Sequence, residues 1–255
     1  MFLWDNIGET RIRFDGADAA GAGLAAWLDA CTVPIAMHDH ARAGILGTAT
    51  LLACGSRPIL LTAAHLFERA TSSGNWLIPE RASGHLLSLE GAQVCIIPGA
   101  DLALIDIAHV PAGPRLLRGR AAIPVRLALP ARPPSRSRGQ RTAARVATYC
   151  LAGYPAAWSR FERGYLAAKR LTITTRQRDE NAGEIRCMYG RTAQRHDGQV
   201  IHTPALEGMS GAAIWEMQRA HGTNTLHLAG VQSAFMHSHY LRGDMATLYE
   251  PVFHR

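Results

Sequence analysis

Lysine is almost absent from this chain. Lys169 is the only one, and arginine supplies the rest of the 27 basic residues. They exceed the 20 acids by seven, which raises the question of a nucleic-acid partner. The arginines are scattered except for Arg132, Arg136, Arg138 and Arg141. That group lies among Pro133, Pro134, Ser135, Ser137 and Gly139 and reads as a solvated linker. No aromatic residues are interleaved there to stack on bases, so no nucleic acid is expected. Long apolar runs are also missing. None reaches the roughly 18 residues needed to span a bilayer, and no membrane association is expected. The opening MFLWDNIGETRIRF lacks the basic start, apolar core and small-residue cleavage site of a secretory signal. Cysteines are few and odd in number: Cys31, Cys54, Cys95, Cys150 and Cys187. Their spacings match no zinc pattern. Free thiols in a reducing cytoplasm are the simplest account. His38-Asp39-His40 and His237-Ser238-His239 have a two-residue spacing that is commoner on turns without metal, so neither metal nor another cofactor is expected.

What is present is apolar sequence in short pieces. The apolar fraction of 47% over 255 residues can build real cores, in one large all-β unit or two domains of about 120 residues each. Residues 1–32 precede the clear strand pattern. Ala17 to Ala30 is rich in Ala and Leu and predicts a short helix, weakened by Gly21 and Gly23. Strands are predicted at 33–37, 45–53, 58–62, 76–79, 85–89, 92–97 and 100–107. Residues 111–144 are rich in Pro, Arg and Ala and read as a connection. Strands resume at 145–151, 165–175, 184–189, 200–203, 212–217 and 226–233. Residues 245–253 close the chain as strand, helix or both. Short strands at this spacing predict a barrel or sandwich. The division expected is an extension (1–32), a first β-barrel (33–110), a connection (111–144) and a second barrel (145–255). No fixed-period repeat is found.

One stretch carries chemistry: Leu206-Glu207-Gly208-Met209-Ser210-Gly211-Ala212-Ala213-Ile214-Trp215. Glycines on both sides of Ser210 let the backbone turn sharply. Such a turn can aim the N–H groups of Gly208 and Ser210 at one point, as an oxyanion hole requires. A serine needs a base, and the base an orienter. Thr62-Ala63-Ala64-His65-Leu66-Phe67 offers a histidine at a strand end. Ala100-Asp101-Leu102-Ala103-Leu104-Ile105-Asp106-Ile107 offers two acids five residues apart, which strand alternation puts on opposite faces.

In chain order, LLTAAHLF, ADLALIDI and LEGMSGAAIW resemble the three signatures of trypsin-like (chymotrypsin-fold) serine peptidases. The resemblance covers roughly residues 33–253. It implies an all-β fold of two perpendicular six-stranded β-barrels with the active site in the cleft between them. It implies a serine endopeptidase acting on a protein or peptide substrate, with Ser210 as nucleophile, His65 as general base and acid, and Asp101 as orienter, selected over Asp106. No cysteine flanks His65 or Ser210, unlike many extracellular members. Met209 stands where animal members have the aspartate that pairs with a newly cut N-terminus, so zymogen activation of that kind is not expected. The chain is more similar to bacterial or intracellular members. Pro204 stands where a tryptic enzyme carries its pocket aspartate. The resemblance carries Ser233 onto the strand that pairs with substrate backbone, Ala234 and Phe235 onto the pocket wall, and Glu207 onto its rim. His202 and His237 are candidates to line the pocket, against their plainer reading as ordinary strand or loop histidines. Two other readings stay open: a non-catalytic binding or sensing domain of the same fold, and a small-acyl esterase. A restrained cytoplasmic peptidase also implies narrow specificity, a conformational gate or a regulatory partner protein.

Overall fold

The computed structural model describes residues 2–3, 12–14, 17–19, 24–39, 42–68, 75–124, 148–162, 165–181, 184–195, 199–220, 223–236 and 240–245. Three short strands open the chain: β1 (Phe2–Leu3), β2 (Ile12–Phe14) and β3 (Ala17–Ala19). Helix α1 (Leu24–Cys31) follows. Next come β4 (Thr32–Asp39), β5 (Arg42–Cys54), β6 (Arg57–Thr62), α2 (His65–Glu68), β7 (Asn75–Pro79), β8 (Leu86–Ser88), β9 (Gln93–Ile96) and β10 (Ala103–Asp106). Helix α3 (Gly113–Leu117) and β11 (Ile123–Pro124) lead to the second half. That half holds β12 (Thr148–Gly153), a 3-10 turn (Ala156–Trp158), β13 (Ser159–Glu162), β14 (Tyr165–Ala168), β15 (Leu171–Asn181), β16 (Glu184–Met188), β17 (Thr192–Arg195), β18 (Val200–His202), β19 (Ala213–Ala220), β20 (Thr223–Met236) and β21 (Tyr240–Met245).

The strands make two large, curled, mostly antiparallel sheets and a small antiparallel pair, β13–β14. One runs β8-β7-β4-β5-β6-β10-β9, with β11 paired to β5. The other runs β12-β19-β20-β21-β16-β15-β1-β17-β18, with β2 and β3 joined to β20, and closes through β12–β15. This is an all-β, chymotrypsin-like two-barrel fold.

The alternation of a strand explains how the two sheets share a core. Leu51 and Leu60 point into the first barrel beside Val33, Ile35, Ile78 and Ile105. Their neighbours Leu52 and Leu61 point out of it, into a cluster with Leu104, Cys150, Trp215, Leu228 and Val231. Leu151 and Ile214 point instead into the second barrel, with Ile173, Ile185 and Leu241. The seam between the barrels is therefore apolar. Helix α1 plugs it through Leu28 and Cys31, and Trp27 meets Trp215 edge-on at 5.0 Å. Each leucine buried there is worth about 1.5–3 kcal/mol.

Several expectations are corrected. Each of the two large sheets has more than six strands, because short edge strands with weak periodicity join them. The helix spans only Leu24–Cys31; Ala17–Ala19, past which Gly21 and Gly23 follow, is a strand. The predicted strand at 165–175 is two strands, β14 and β15, with Lys169 and Arg170 between them. Strand β21 was not expected at all. Residues 246–255 and the arginine group at 132–141 lie outside the described residues.

Candidate functional site

The histidine stretch begins where β6 ends. Ala63 and Ala64 are buried, and His65 opens the short α2 turn. Small residues are required there because the serine turn comes close behind. A Cβ on Gly211 would lie 3.0 Å from the Ala63 nitrogen and 2.1 Å from both Thr62 Oγ1 and the Thr48 carbonyl. Gly47 has the same duty on β5. A Cβ there would lie 2.3 Å from Leu66 Cδ1 and 2.8 Å from the Ser210 carbonyl oxygen. The residue after His65 and the backbone of Ser210 thus press on the same glycine.

Asp101 stands just before β10 and grips His65 twice. It accepts the His65 backbone N–H at 2.8 Å, and its other oxygen lies 2.6 Å from His65 Nδ1. Burial pulls the Asp101 carboxyl up, but the two His65 hydrogen bonds and the nearby imidazole hold it below its usual range. An ionised carboxylate can only accept, so in the neutral ring this contact selects the tautomer with the proton on Nδ1 and Nε2 as the acceptor. Both side chains keep about a fifth of their surface exposed (21% and 23%), so the ring remains reachable. Asp106 faces elsewhere: it pairs with Arg57 and accepts the Ala108 N–H at 2.8 Å.

Ser210 sits in a turn that only glycines allow at both ends. Gly208 and Gly211 have φ of 88° and 92°, a region that side-chain-bearing residues adopt only with strain. Nearly every carbonyl around the serine is anchored. Glu207 O accepts from Ala156 N (2.7 Å), Gly208 O from Thr48 Oγ1 (2.9 Å), Ser210 O from Thr48 N (2.8 Å) and Ala212 O from Gln232 N (2.8 Å). Among the described residues, the N–H groups of Gly208 and Ser210 donate to no protein acceptor. Ser210 itself is partly exposed. The arrangement offers an oriented imidazole acceptor, a turn-held hydroxyl and two undirected backbone donors along one seam.

The other expected residues divide. Ser233 is the extra residue of a bulge between Gln232 and Ala234 on β20. It is buried, and its Oγ has no well-formed hydrogen bond among the described residues. Ala234 and Phe235 are partly buried, and Phe235 packs against the second-barrel core. Pro204 is partly buried, while Glu207 and His202 are exposed. His40, His237 and His239 lie outside the described residues.

Four residues around the site gave no sequence signal. Thr48 clamps the serine turn from the first sheet. Tyr154 lies behind Gly208, whose Cβ would come 2.7 Å from the Tyr154 carbonyl. Tyr189 is fully buried and donates its hydroxyl to the Pro204 carbonyl. Burial pushes its phenol up, and the nearby Glu207 adds to the rise against the Thr203 hydrogen bond. Asp244 on β21 lies near Asp101 and Ser233. Burial raises its carboxyl, Ser233 pulls it down, and Asp101 adds to the rise.

The geometry and the strand order define the class: a two-barrel, chymotrypsin-like β fold with a His–Asp pair and a glycine-bounded serine at the seam. No family model matches the chain, and no curated protein matches it. Among solved structures it is similar to a thermostable serine protease, AL20, from an extremophilic microorganism. The identity is 12%, the match covers 89% of this chain and 97% of that one, and the TM-score is 0.54. It is also matched by a chain from a structural study of the coupled folding and binding of the intrinsically disordered Sesbania mosaic virus VPg protein. There the identity is 13%, coverage is 86% of both chains, and the TM-score is 0.48. At such identity the first likeness bears on the fold alone.

Proposed function

We propose that the protein is a serine endopeptidase that hydrolyses peptide bonds through an acyl-enzyme intermediate. The observation that carries this reading is the double hydrogen bond of Asp101 to His65, together with a serine turn in which nearly every carbonyl is anchored while the Gly208 and Ser210 N–H groups are left without a protein acceptor among the described residues. Ser210 Oγ attacks the carbonyl carbon while His65 Nε2 takes its proton. The tetrahedral oxygen is received by the N–H groups of Gly208 and Ser210. Collapse expels the amine, which takes the proton back from His65. Water then repeats the sequence to release the acid. Asp101 stabilises the imidazolium formed in each half.

The bulged strand at Ser233 is the place for substrate backbone, which adds as an extra strand. Beside it, the resemblance sets Pro204, Ala234 and Phe235 along the pocket for the residue before the cut, with proline where a tryptic enzyme has its acid, and Tyr189 supports the Pro204 carbonyl. A cation entering an apolar pocket of this kind meets a desolvation cost of several kcal/mol. Glu207, exposed at the rim, offsets little of it. The residue accepted before the cut is therefore small or medium and apolar. None of the five cysteines is in a disulfide, which supports a reducing, cytoplasmic setting and regulated processing of a protein substrate.

The test is cleavage of a peptide library by wild type, Ser210→Ala, His65→Ala, Asp101→Asn and Asp106→Asn, with fluorophosphonate labelling alongside. Ser210→Ala and His65→Ala each lose roughly a million-fold in turnover. Asp101→Asn loses about 10⁴-fold through the wrong tautomer. Asp106→Asn stays within a few-fold, because its carboxylate serves Arg57 and Ala108. Undiminished cleavage by Ser210→Ala would remove the assignment. A wild type that neither cleaves nor labels would return the domain to a binding role.

A further inference from the structure

The seam between the sheets holds a second feature, away from His65 and Ser210. A cavity of about 260 Å³ opens where the end of β7, helix α1, the end of β12 and β14 meet. Its walls include Asp29, Glu80, Arg81, Arg120 and Tyr154.

The charges around it do not balance. Arg81 and Arg120 line the cavity, Arg170 stands behind Asp29, and Arg115 stands behind Glu80. The two carboxylates are already occupied. Asp29 lies 2.5 Å from both Arg81 Nη2 and Arg170 Nη1. Glu80 accepts from Arg115 Nε and Nη2, at 3.2 and 3.1 Å, and from Ser83. The wall itself holds two guanidiniums and two carboxylates, and further arginines, Arg115 and Arg170, stand behind those carboxylates and occupy them, so the balance at the wall is positive.

Arg120 is the one left without an anionic partner. Its Nη groups reach only carbonyls, Pro79 O at 2.9 Å and Thr32 O at 3.4 Å. Its Nε is buried with no partner among the described residues. Burial pulls this guanidinium below the usual arginine range, Arg81 pulls it further, and Tyr154 and Asp29 only partly restore it. A cation withdrawn from water needs a counter-charge or pays a large desolvation cost. The Tyr154 hydroxyl, 3.4 Å from the Thr32 carbonyl, is a further donor at the same wall and is only weakly engaged.

We propose that this cavity is a binding site for a doubly charged phosphate group, held by Arg120 and Arg81. With the acids already occupied by arginines behind them, Arg120 and Arg81 leave positive charge that a phosphate dianion would neutralise. Guanidinium forks suit its oxygens better than they suit a spherical halide. The volume leaves space for a small substituent, so a phosphomonoester fits as well as the free ion. The site does not depend on the proposed chemistry at Ser210. It does share Tyr154 with the serine turn, since the carbonyl of that residue packs against Gly208.

The experiment is calorimetric titration of the full-length protein with inorganic phosphate, phosphoserine and a phosphoserine-containing hexapeptide. Sodium chloride and acetate at matched ionic strength are the controls. Phosphate should bind at one site per chain and at least ten-fold more tightly than acetate. Arg120→Met should weaken it ten-fold or more. Arg81→Gln should weaken it several-fold; that side chain is a third exposed, so the variant keeps the test alive if Arg120→Met fails to fold. Arg132→Gln, in the arginine-rich connection, should leave affinity unchanged. Tighter binding of the hexapeptide than of phosphate would assign the ligand to a phosphorylated protein, and equal affinity to a free phosphate. No phosphate binding above the acetate control, or an affinity that Arg81→Gln and Arg120→Met both leave intact, would overturn the proposal.

Discussion

Thr48 is buried, makes no contact with solvent, and holds four atoms of the site at once. Its Oγ1 donates to Gly208 O at 2.9 Å and accepts Tyr154 N–H at 3.1 Å. Its N–H donates to Ser210 O at 2.8 Å, and its carbonyl accepts Thr62 Oγ1 at 2.7 Å. Replacing it with valine keeps the shape and both backbone bonds but removes the hydroxyl. Gly208 O and Tyr154 N–H are then left buried without their partner, at about 1–3 kcal/mol each. A methyl group also cannot sit 2.9 Å from a carbonyl oxygen, so the serine turn must move. The sum is about 2–6 kcal/mol, a large share of the roughly 5–15 kcal/mol typical of a domain. Thr48→Ser keeps the hydroxyl, loses one buried methyl and should cost only about 1 kcal/mol. Urea unfolding of the three proteins measures the difference, and fluorophosphonate labelling reports the turn itself. Thr48→Val should lose labelling in conditions where it is still folded. A valine variant within about 0.5 kcal/mol of the serine variant would refute the reasoning, because the hydroxyl would then carry no load.

Two further outcomes follow from titration and burial. Hydrogen bonds from Arg115 and then Ser83 lower the Glu80 carboxyl to about 2, so its stabilising effect is complete above the ordinary Glu range and is lost as pH falls towards 2. The stability deficit of Glu80→Gln against wild type, measured by urea unfolding, should therefore be present at pH 6 and vanish near pH 2; a deficit independent of pH would remove the ion pair as its cause. Among the thiols, Cys95 is exposed, whereas burial pushes Cys31 and Cys187 up to about 12 and Cys150 up as well. A thiol reagent should label Cys95 in the native protein and those three only after unfolding, with five thiols in total; prompt native labelling of Cys150 would contradict the packing of the seam.

The parts of the fold that could be read in advance are those where neighbours in sequence set the outcome. Paired leucines such as Leu51-Leu52 and Leu60-Leu61 sit in runs bounded by Cys54-Gly55-Ser56-Arg57, and such runs have to be strands. The glycines around Ser210 were legible for the same reason, since positive φ is a local demand. What could not be read depends on which strands meet. Nothing in Gly47-Thr48-Ala49 says that β5 passes beneath a turn 160 residues further on. Tyr189 and Asp244 look like ordinary strand-end residues until the second barrel closes around them. Strands β1 to β3 are too short and too mixed in composition to show a period, and they form only because longer strands offer them an edge.

The placing of the serine turn also explains why its clamps come from the other barrel. Gly208 to Ala212 belongs by sequence to the second sheet, and β20 holds it from that side through Gly211 N to Gln232 O at 2.7 Å. A turn built on two positive-φ glycines is unstrained but gives up much conformational freedom, so it needs holding on more than one side to keep one shape. Thr48 supplies the opposite side from β5, and Gly47 and Gly211 leave the room for that approach. The same two strands that bring Thr48 and Thr62 to the turn send Leu52 and Leu61 into the seam cluster against Trp215 and Val231. Apolar burial between the barrels therefore drives together the groups that shape the turn. Any substitution that parts the seam, such as Leu61→Ala, must loosen the turn in proportion, even though Leu61 touches neither His65 nor Ser210 in the chemistry proposed.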